Sequence, residues 1–407
     1  MQTQMPPSIL ATASGRRADS ILRACVHCGF CNATCPTYLL TGDELDGPRG
    51  RIYLVKEMLE ADAPSSVARE HLDRCLTCRA CETTCPSGVA YGELAEIGRD
   101  FIEAREPRGF VDRLTREWLV RVLPAPGRLA FFARLGRAFR WMLPRYLARA
   151  VPKIVPKIAP RVEVGRQVAG KNHARRVVVL EGCVQRLTTP QVNAALARIL
   201  DAAAVKVVRV GDESCCGSLA LHLGQAEAAR AAMRANVDVL YAAAAGAEAI
   251  ISTASGCGVT VKEYGRLLAD DPLYAERARW VAEHTCDAAQ YLDRIAAPLS
   301  RRDPATTVAW HSPCTLQHGQ RVNGVVEGLL RRAGYQLVPV ADAHLCCGSA
   351  GTYSVLQHTL AAELRRRKLA ALTAARPDVI ATANVGCQLH LRDGAEIPVR
   401  HWLELVG

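Results

Sequence analysis

The sequence predicts an α+β multidomain protein: an N-terminal α-helical module carrying two cysteine runs, then two repeated α/β domains with parallel sheets. Three observations lead there. Cysteine recurs as Cys25-x2-Cys28-x2-Cys31-x3-Cys35-Pro36 and again as Cys75-x2-Cys78-x2-Cys81-x3-Cys85-Pro86. The C-terminal part is an internal repeat, offset by 131 residues at three cysteines and by 130 at the fourth. Within each copy, short β-branched runs alternate with Ala- and Leu-rich stretches of helical length.

The cysteine runs come first in the chain. Three cysteines at i, i+3 and i+6 can wrap one face of a metal cluster, while the fourth lies too far along its own turn and reaches a neighbouring cluster. The spacing therefore predicts two [4Fe–4S] clusters. One is held by Cys25, Cys28, Cys31 and Cys85, the other by Cys75, Cys78, Cys81 and Cys35. Pro36 and Pro86 close each run and fix the turn. Paired zinc sites would favour ligands in two pairs rather than this three-plus-one run. Between the runs, Pro48 follows Gly47 at a helix start, and Ile52, Val55 and Leu59 share one face at helical spacing, which predicts a core-facing helix. A helical spacer of this kind resembles the ferredoxin modules of respiratory iron–sulfur subunits.

A basic, Pro-rich connector is expected next. The formal net charge of +11 is concentrated there, with fifteen Lys or Arg against four Asp or Glu between Arg105 and Gly170. Charge confined to one connector argues against a nucleic-acid-binding surface. At 100° per residue from Arg128, Phe132, Leu135, Phe139, Met142 and Leu143 fall in one sector. Arg134, Arg137 and Arg140 lie opposite, with Arg145 flanking. Such a helix could dock on the protein's own domains or rest on an anionic inner leaflet.

The repeat follows. Val177 to Cys183 matches Val308 to Cys314, Ser214-Cys215-Cys216-Gly217 matches Leu345-Cys346-Cys347-Gly348, and Ile250 to Cys257 matches Val379 to Cys387. Each copy reads as strand, helix (Gln191 to Ala203; Gly324 to Ala333), second strand (Val205 to Val210; Gln336 to Val340), long helix (Gln225 to Ala245; Gln357 to Ala375) and third strand. In parallel sheets, sites gather beyond the carboxyl ends of strands. Cys183, Cys215, Cys216 and Cys257 should therefore meet, as should Cys314, Cys346, Cys347 and Cys387. Adjacent cysteines make a poor disulfide but can both ligate a metal. The expected domains are residues 1–104, 105–170, 171–300 and 301–407.

Composition supports metal rather than disulfide chemistry. Seventeen cysteines exceed what packing needs. Met1 to Ser20 carries no apolar signal core, and Arg16-Arg17 is followed by Ala18-Asp19-Ser20 rather than an apolar run. No apolar run long enough for a transmembrane helix occurs. The expected location is cytoplasmic, with a peripheral position on the inner face of the membrane open, and the thiols are expected to be reduced. No G-x-G-x-x-G follows a strand, so no flavin is expected in this chain. His311, His344 and His390 lie near the second Cys-Cys-Gly set, where a histidine could tune or protonate a bound group, though hydrogen bonding of a strand-end loop is the favoured role; Cys286 should be a buried small apolar residue.

The Cys-Cys-Gly halves resemble the cysteine-rich domains of heterodisulfide reductases. The complete motif of that family has a further cysteine three positions past the last, where this chain has Thr260 and His390. Each site is one ligand short, so a simple four-ligand cluster is expected in place of a double cluster. Taken whole, the chain resembles glycolate oxidase iron–sulfur subunits. The residues that carry this are Arg23 to Cys31, Gly42-Asp43-Glu44-Leu45-Asp46-Gly47-Pro48-Arg49-Gly50-Arg51-Ile52-Tyr53, the Cys75 run, Ser255-Gly256-Cys257-Gly258 and His311-Ser312-Pro313-Cys314-Thr315-Leu316-Gln317-His318. The resemblance implies FAD-containing partner subunits that oxidise glycolate, with D-lactate as a second substrate, and a membrane quinone as acceptor. The alternatives are the cluster subunit of a lactate or glycerol-3-phosphate dehydrogenase, or a catalytic subunit of the heterodisulfide reductase type.

Overall fold

The computed structural model describes residues 1–142, 174–208, 210, 213, 215–300 and 306–407. Leu143, Arg145 and the connector prolines from Pro144 to Pro160 lie outside the described residues, as does Ser214.

The N-terminal part is helical. Helix α1 (Ala13–Ala24) starts at Thr12, whose hydroxyl accepts the Gly15 N–H. Helix α2 (Pro48–Glu60) carries Pro48 in its first turn and buries Ile52, Val55 and Leu59, the face that its periodicity predicted. Helix α3 (Tyr91–Arg105) packs Leu94 and Ile102 against α1 and α2 in one core with Leu22 and Leu72. Two further helices, α4 (Phe110–Val122) and α5 (Pro126–Ala138), follow. Arg108 and Arg116 both reach Asp73, at 2.7 and 2.9 Å, and so pin the start of α4 to the helical core.

The amphipathic sector expected from Arg128 onward is not the packed face. Helix α5 stops at Ala138 because Phe139 leaves the helical region (φ −107°, ψ 23°), and Arg140–Met142 is a tighter 3₁₀ turn. Small Ala130 and Ala133 are buried, while Leu135 and Phe139 are exposed beside Phe131. Close packing has selected the alanine face, and the large apolar residues point outward.

The two C-terminal halves share one architecture. The first contains β1 (Arg175–Leu180), α6 (Gln191–Ala202), β2 (Val205–Val208), α7 (Ala226–Ala243), β3 (Ile250–Ser252), α8 (Ser255–Lys262) and β4 (Thr285–Asp287). The second contains β5 (Thr307–His311), α9 (Val325–Arg332), β6 (Gln336–Val338), α10 (His358–Thr373), β7 (Val379–Thr382), α11 (Val385–Arg392) and β8 (Val399–His401). The sheet orders are β2-β1-β3-β4 and β6-β5-β7-β8, with every pairing parallel. Strands β4 and β8 add an edge to each sheet that sequence periodicity did not predict. One apolar core runs through both halves, from Val177 and Leu196 to Trp310, Leu329 and Trp402. His401 crosses between them, its Nε2 2.9 Å from the Thr253 carbonyl. Burial holds its imidazole down at about 4. Among the described residues, no helix is long and apolar enough to cross a membrane.

Candidate iron–sulfur centres

Local backbone shape puts the N-terminal cysteines in place. In the first run His27 and Gly29 take left-handed conformations (φ 61° and 85°), and in the second Thr77 and Arg79 do the same (φ 50° and 61°). Three of these four are not glycine, a conformation that persists only where surroundings enforce it. The result is convergence. Cys25, Cys28, Cys31 and Cys85 line one cavity of about 430 Å³. Cys75, Cys78, Cys81 and Cys35 line a second of about 280 Å³. Cys81, Pro48 and Tyr91 border both, so the cavities adjoin. All seventeen cysteines are free thiols. Four thiols drawn from two runs, with no disulfide, fit a thiolate-bound cluster.

The two cavities differ electrically. Burial pushes the Cys31 thiol up to about 11. Burial also raises Cys75, but Arg51, Arg99 and hydrogen bonds from Tyr91 Oη and the Thr77 N–H together hold it below the ordinary thiol value. Arg51 is fully buried. It donates to the His71 carbonyl at 2.7 Å and to Thr37 Oγ1 at 3.1 Å, and it pairs with buried Asp46 at 3.4 Å. Asp46 also meets His71 Nδ1 at 2.8 Å and Arg74 at 3.3 Å. Arg99 donates to the Leu72 and Cys75 carbonyls. Arg79, between Cys78 and Cys81, forms a double ion pair with Glu263 and so ties this loop to the first α/β half.

In each α/β half the four cysteines meet beyond the strand ends. Cys183 follows β1, Cys215 and Cys216 follow β2, and Cys257 lies in the first turn of α8. Their thiols shift one another's acidity in the order Cys183, Cys215, Cys216, Cys257. The neighbouring Cys183 and Cys216 thiols hold Cys215 well below the ordinary thiol value. The second half repeats the order, with Cys314 Sγ donating to Cys346 Sγ at 3.8 Å and Cys346, Cys347 and Cys387 shifting one another in turn. The glycine of each Cys-Cys-Gly is required. Gly217 and Gly348 have φ of 86° and 90°, and a Cβ at Gly348 would stand 2.8 Å from the Ala361 carbonyl oxygen.

The histidines divide. The His390 ring is held by the carbonyl of Ala361 at 3.2 Å and by the Cys347 backbone, as a strand-end loop would predict. His344 accepts from Gln317 and His318 through its backbone carbonyl. His311 departs from the expectation: it is 1% exposed, and neither ring nitrogen has a hydrogen-bond partner. Its ring lies with the Cys347 and Cys387 thiols, all ligating atoms being within 4.8 Å of one another. Burial, with Lys368 nearby, keeps it well below the usual imidazole range. Lys368 is itself buried and donates to the Asp342 and Ala343 carbonyls. Cys286 lies on β4, half-buried against the core, and is pushed up to about 11 by burial.

The second half's site abuts the second N-terminal cavity. Leu76 and Cys78 pack in one cluster with Cys314, Cys346 and Tyr353. Across the halves, Gly256 N–H donates to Asn384 Oδ1, and Ser255 Oγ meets Thr315 Oγ1 at 2.7 Å. Sequence reasoning named the sixteen clustered cysteines, gave Arg51 no role beyond the family resemblance, and passed over Tyr91, Arg99 and Lys368, whose only signal was position on a core-facing helix side.

Comparison with known proteins agrees with this layout. The family described as 4Fe-4S dicluster domain matches residues 21–89. The family described as cysteine-rich domain matches residues 177–262 and 308–392. Over 407 residues the chain is 47% identical to the glycolate oxidase iron–sulfur subunit of Escherichia coli (strain K12), covering 100% of this chain and 98% of the relative. This chain belongs to the glycolate oxidase iron–sulfur subunit family. It is 30% identical to a probable glycolate oxidase iron–sulfur subunit of Bacillus subtilis (strain 168), over 94% of this chain and 90% of that one. A lactate utilization protein A of Geobacillus kaustophilus (strain HTA426) is 27% identical over 57% of this chain and 98% of its own length. Membership of this family makes the chain an iron–sulfur electron-transfer protein, with a dicluster module at its N-terminus and a cysteine-rich domain in each α/β half.

Proposed function

We propose that this chain is the electron-transfer subunit of a glycolate-oxidising complex, accepting electrons from an FAD-bearing partner subunit and delivering them toward a membrane quinone. The observation that carries the reading is a row of three adjoining cysteine-lined sites. Cys81 borders both N-terminal cavities, and Cys78 packs against Cys314 and Cys346 of the second cysteine-rich half. In this reading Cys25, Cys28, Cys31 and Cys85 hold one [4Fe–4S] cluster, and Cys75, Cys78, Cys81 and Cys35 hold another. Cys183, Cys215, Cys216 and Cys257 hold a third centre, and Cys314, Cys346, Cys347 and Cys387 a fourth. When bound, these clusters supply reversible one-electron transfer at potentials set by charge and hydrogen bonding. The chain's own part is to hold thiolates close together and offset their charge, with Arg51 and Arg99 beside Cys75 and Lys368 beside Cys346 and Cys347. Hydride chemistry is assigned to the flavin partner. Similarity to a lactate utilization protein supports lactate as a second substrate, which the resemblance gives as D-lactate.

Iron content and partner dependence test this together. Anaerobically purified chain should carry about eight irons from the N-terminal runs and more from the repeats. By itself it should not reduce dye with glycolate; adding the flavoprotein should restore reduction. Bound zinc without iron, or turnover by the flavin-free chain, would refute the proposal.

The second half of the reading concerns the membrane, and one observation favours it. Phe110, Val111, Phe131, Phe139, Trp141 and Met142 are exposed together with Arg134 and Arg137. An apolar, cationic surface suits an anionic leaflet, each arginine adding about 1 kcal/mol. Replacing Arg134, Arg137 and Arg140 with Gln should therefore weaken binding of the complex to phosphatidylglycerol vesicles by roughly a hundredfold at low salt. Glycolate–dye activity should be unchanged. Equal sedimentation of wild type and variant would assign the patch to subunit docking.

A further inference from the structure

The two cysteine-rich halves are copies, and that gives each side chain an internal control. Position 311 ends β5, and its counterpart by the repeat offset, Leu180, ends β1. Leu180 is buried in an apolar core with Val178 and Ala220. An apolar residue therefore suits this strand end, and packing alone does not call for an imidazole. Yet His311 is 1% exposed with both ring nitrogens unpartnered. Burying an imidazole that bonds to nothing is unfavourable, so a native one implies a partner outside the protein's own atoms. The direction in which that partner lies is defined by the thiols of Cys347 and Cys387, whose sulfurs share a 4.8 Å neighbourhood with the His311 ring.

The same site lacks the last cysteine of the full cysteine-rich motif. His390 stands at that position, but its ring is already engaged with the Ala361 carbonyl and the Cys347 backbone. In the first half Thr260 stands there, its hydroxyl donating to the Gly256 carbonyl. That ligand position is thus filled by neither counterpart, and among the described residues only the second half has a free nitrogen donor converging from a strand end.

We infer that His311 supplies a nitrogen ligand to the metal centre held by Cys314, Cys346, Cys347 and Cys387, which makes the second half a mixed thiolate–imidazole site. The first half, with Leu180 at the equivalent place, remains a thiolate site. Both halves keep four thiolates; His311 adds a neutral nitrogen where a fifth cysteine would add a negative charge, and imidazole in place of thiolate raises the potential of an iron–sulfur centre. The second centre, the one packed against the Cys78 loop, is then set apart from the first by its nitrogen ligand. The buried ammonium of Lys368 beside Cys346 and Cys347 offsets thiolate charge at the same site.

The inference rests on the second cysteine set holding iron, and the experiment separates the two. Full-length chain is purified anaerobically from cells fed [¹⁵N]histidine, reduced with dithionite and studied by pulsed EPR, beside His311→Leu, His311→Cys and Cys387→Ser. The expected result is a strongly coupled histidine nitrogen in wild type that disappears in His311→Leu. His311→Cys should keep the wild-type iron content, lose the nitrogen coupling and shift one midpoint potential downward, which also covers the case where His311→Leu folds poorly. Cys387→Ser should lose iron. No histidine coupling in wild type, or coupling that survives both His311 substitutions, overturns the assignment of His311 alone. Unchanged iron in Cys387→Ser overturns the metal centre itself.

Discussion

Cys35→Ser is expected to remove the cluster at the Cys75, Cys78 and Cys81 cavity while leaving the cluster of its own run in place. Cys35 caps the short helix Pro36–Thr41, and Pro36 turns the chain there. Its thiol is buried away from the Cys25 cavity, against Thr37 Oγ1 at 3.3 Å and the Asp46 carbonyl, and it lines the Cys75 cavity. Serine is a poor ligand to iron, so about four irons should be lost per chain. EPR of the reduced protein should retain the signal of the cluster assigned to Cys25, Cys28, Cys31 and Cys85. The mirror variant, Cys85→Ser, should do the reverse. Loss of the Cys25 signal alone in Cys35→Ser would mean that each run holds its own cluster.

Arg51→Leu should cost about 3–5 kcal/mol of stability, because it leaves the buried Asp46 carboxylate short of a cation. Arg51 is a fork whose nitrogens reach the His71 carbonyl, Thr37 and Asp46, three groups from separate segments. Arg51→Lys should recover only part of the loss, since one ammonium cannot span all three. Thermal unfolding of the cluster-loaded protein under anaerobic conditions measures this. The same substitution removes a positive charge from beside Cys75 and Cys35, so the midpoint potential of that centre should fall. A variant as stable as wild type would show that Arg74 and His71 satisfy Asp46 unaided.

What was legible in the sequence was what depends on neighbours along the chain. Three cysteines within seven residues need only one turn of backbone, so their convergence is written locally; the periodicity of Ile52, Val55 and Leu59 on α2 is of the same kind. The repeat of β-branched runs and Ala-rich stretches specified parallel sheets, because crossover strands have few other ways to bury both faces. Strands β4 and β8 were invisible, since three residues show no alternation and pair only because β3 and β7 leave an edge. Which of the two expected roles suits α5 depended on packing: Ala130 and Ala133 are buried, Leu135 is exposed, and the helix ends at Ala138, short of the projected sector. Tertiary structure alone decided the fate of the charges. Nothing in the periodicity of the chain marks Arg51, Asp46 and Lys368 for burial, which becomes possible only when distant carbonyls and counter-charges close around them. The same holds for His311, an ordinary strand-end histidine until folding sets it beside Cys347 and Cys387 with nothing else for its nitrogens to bond.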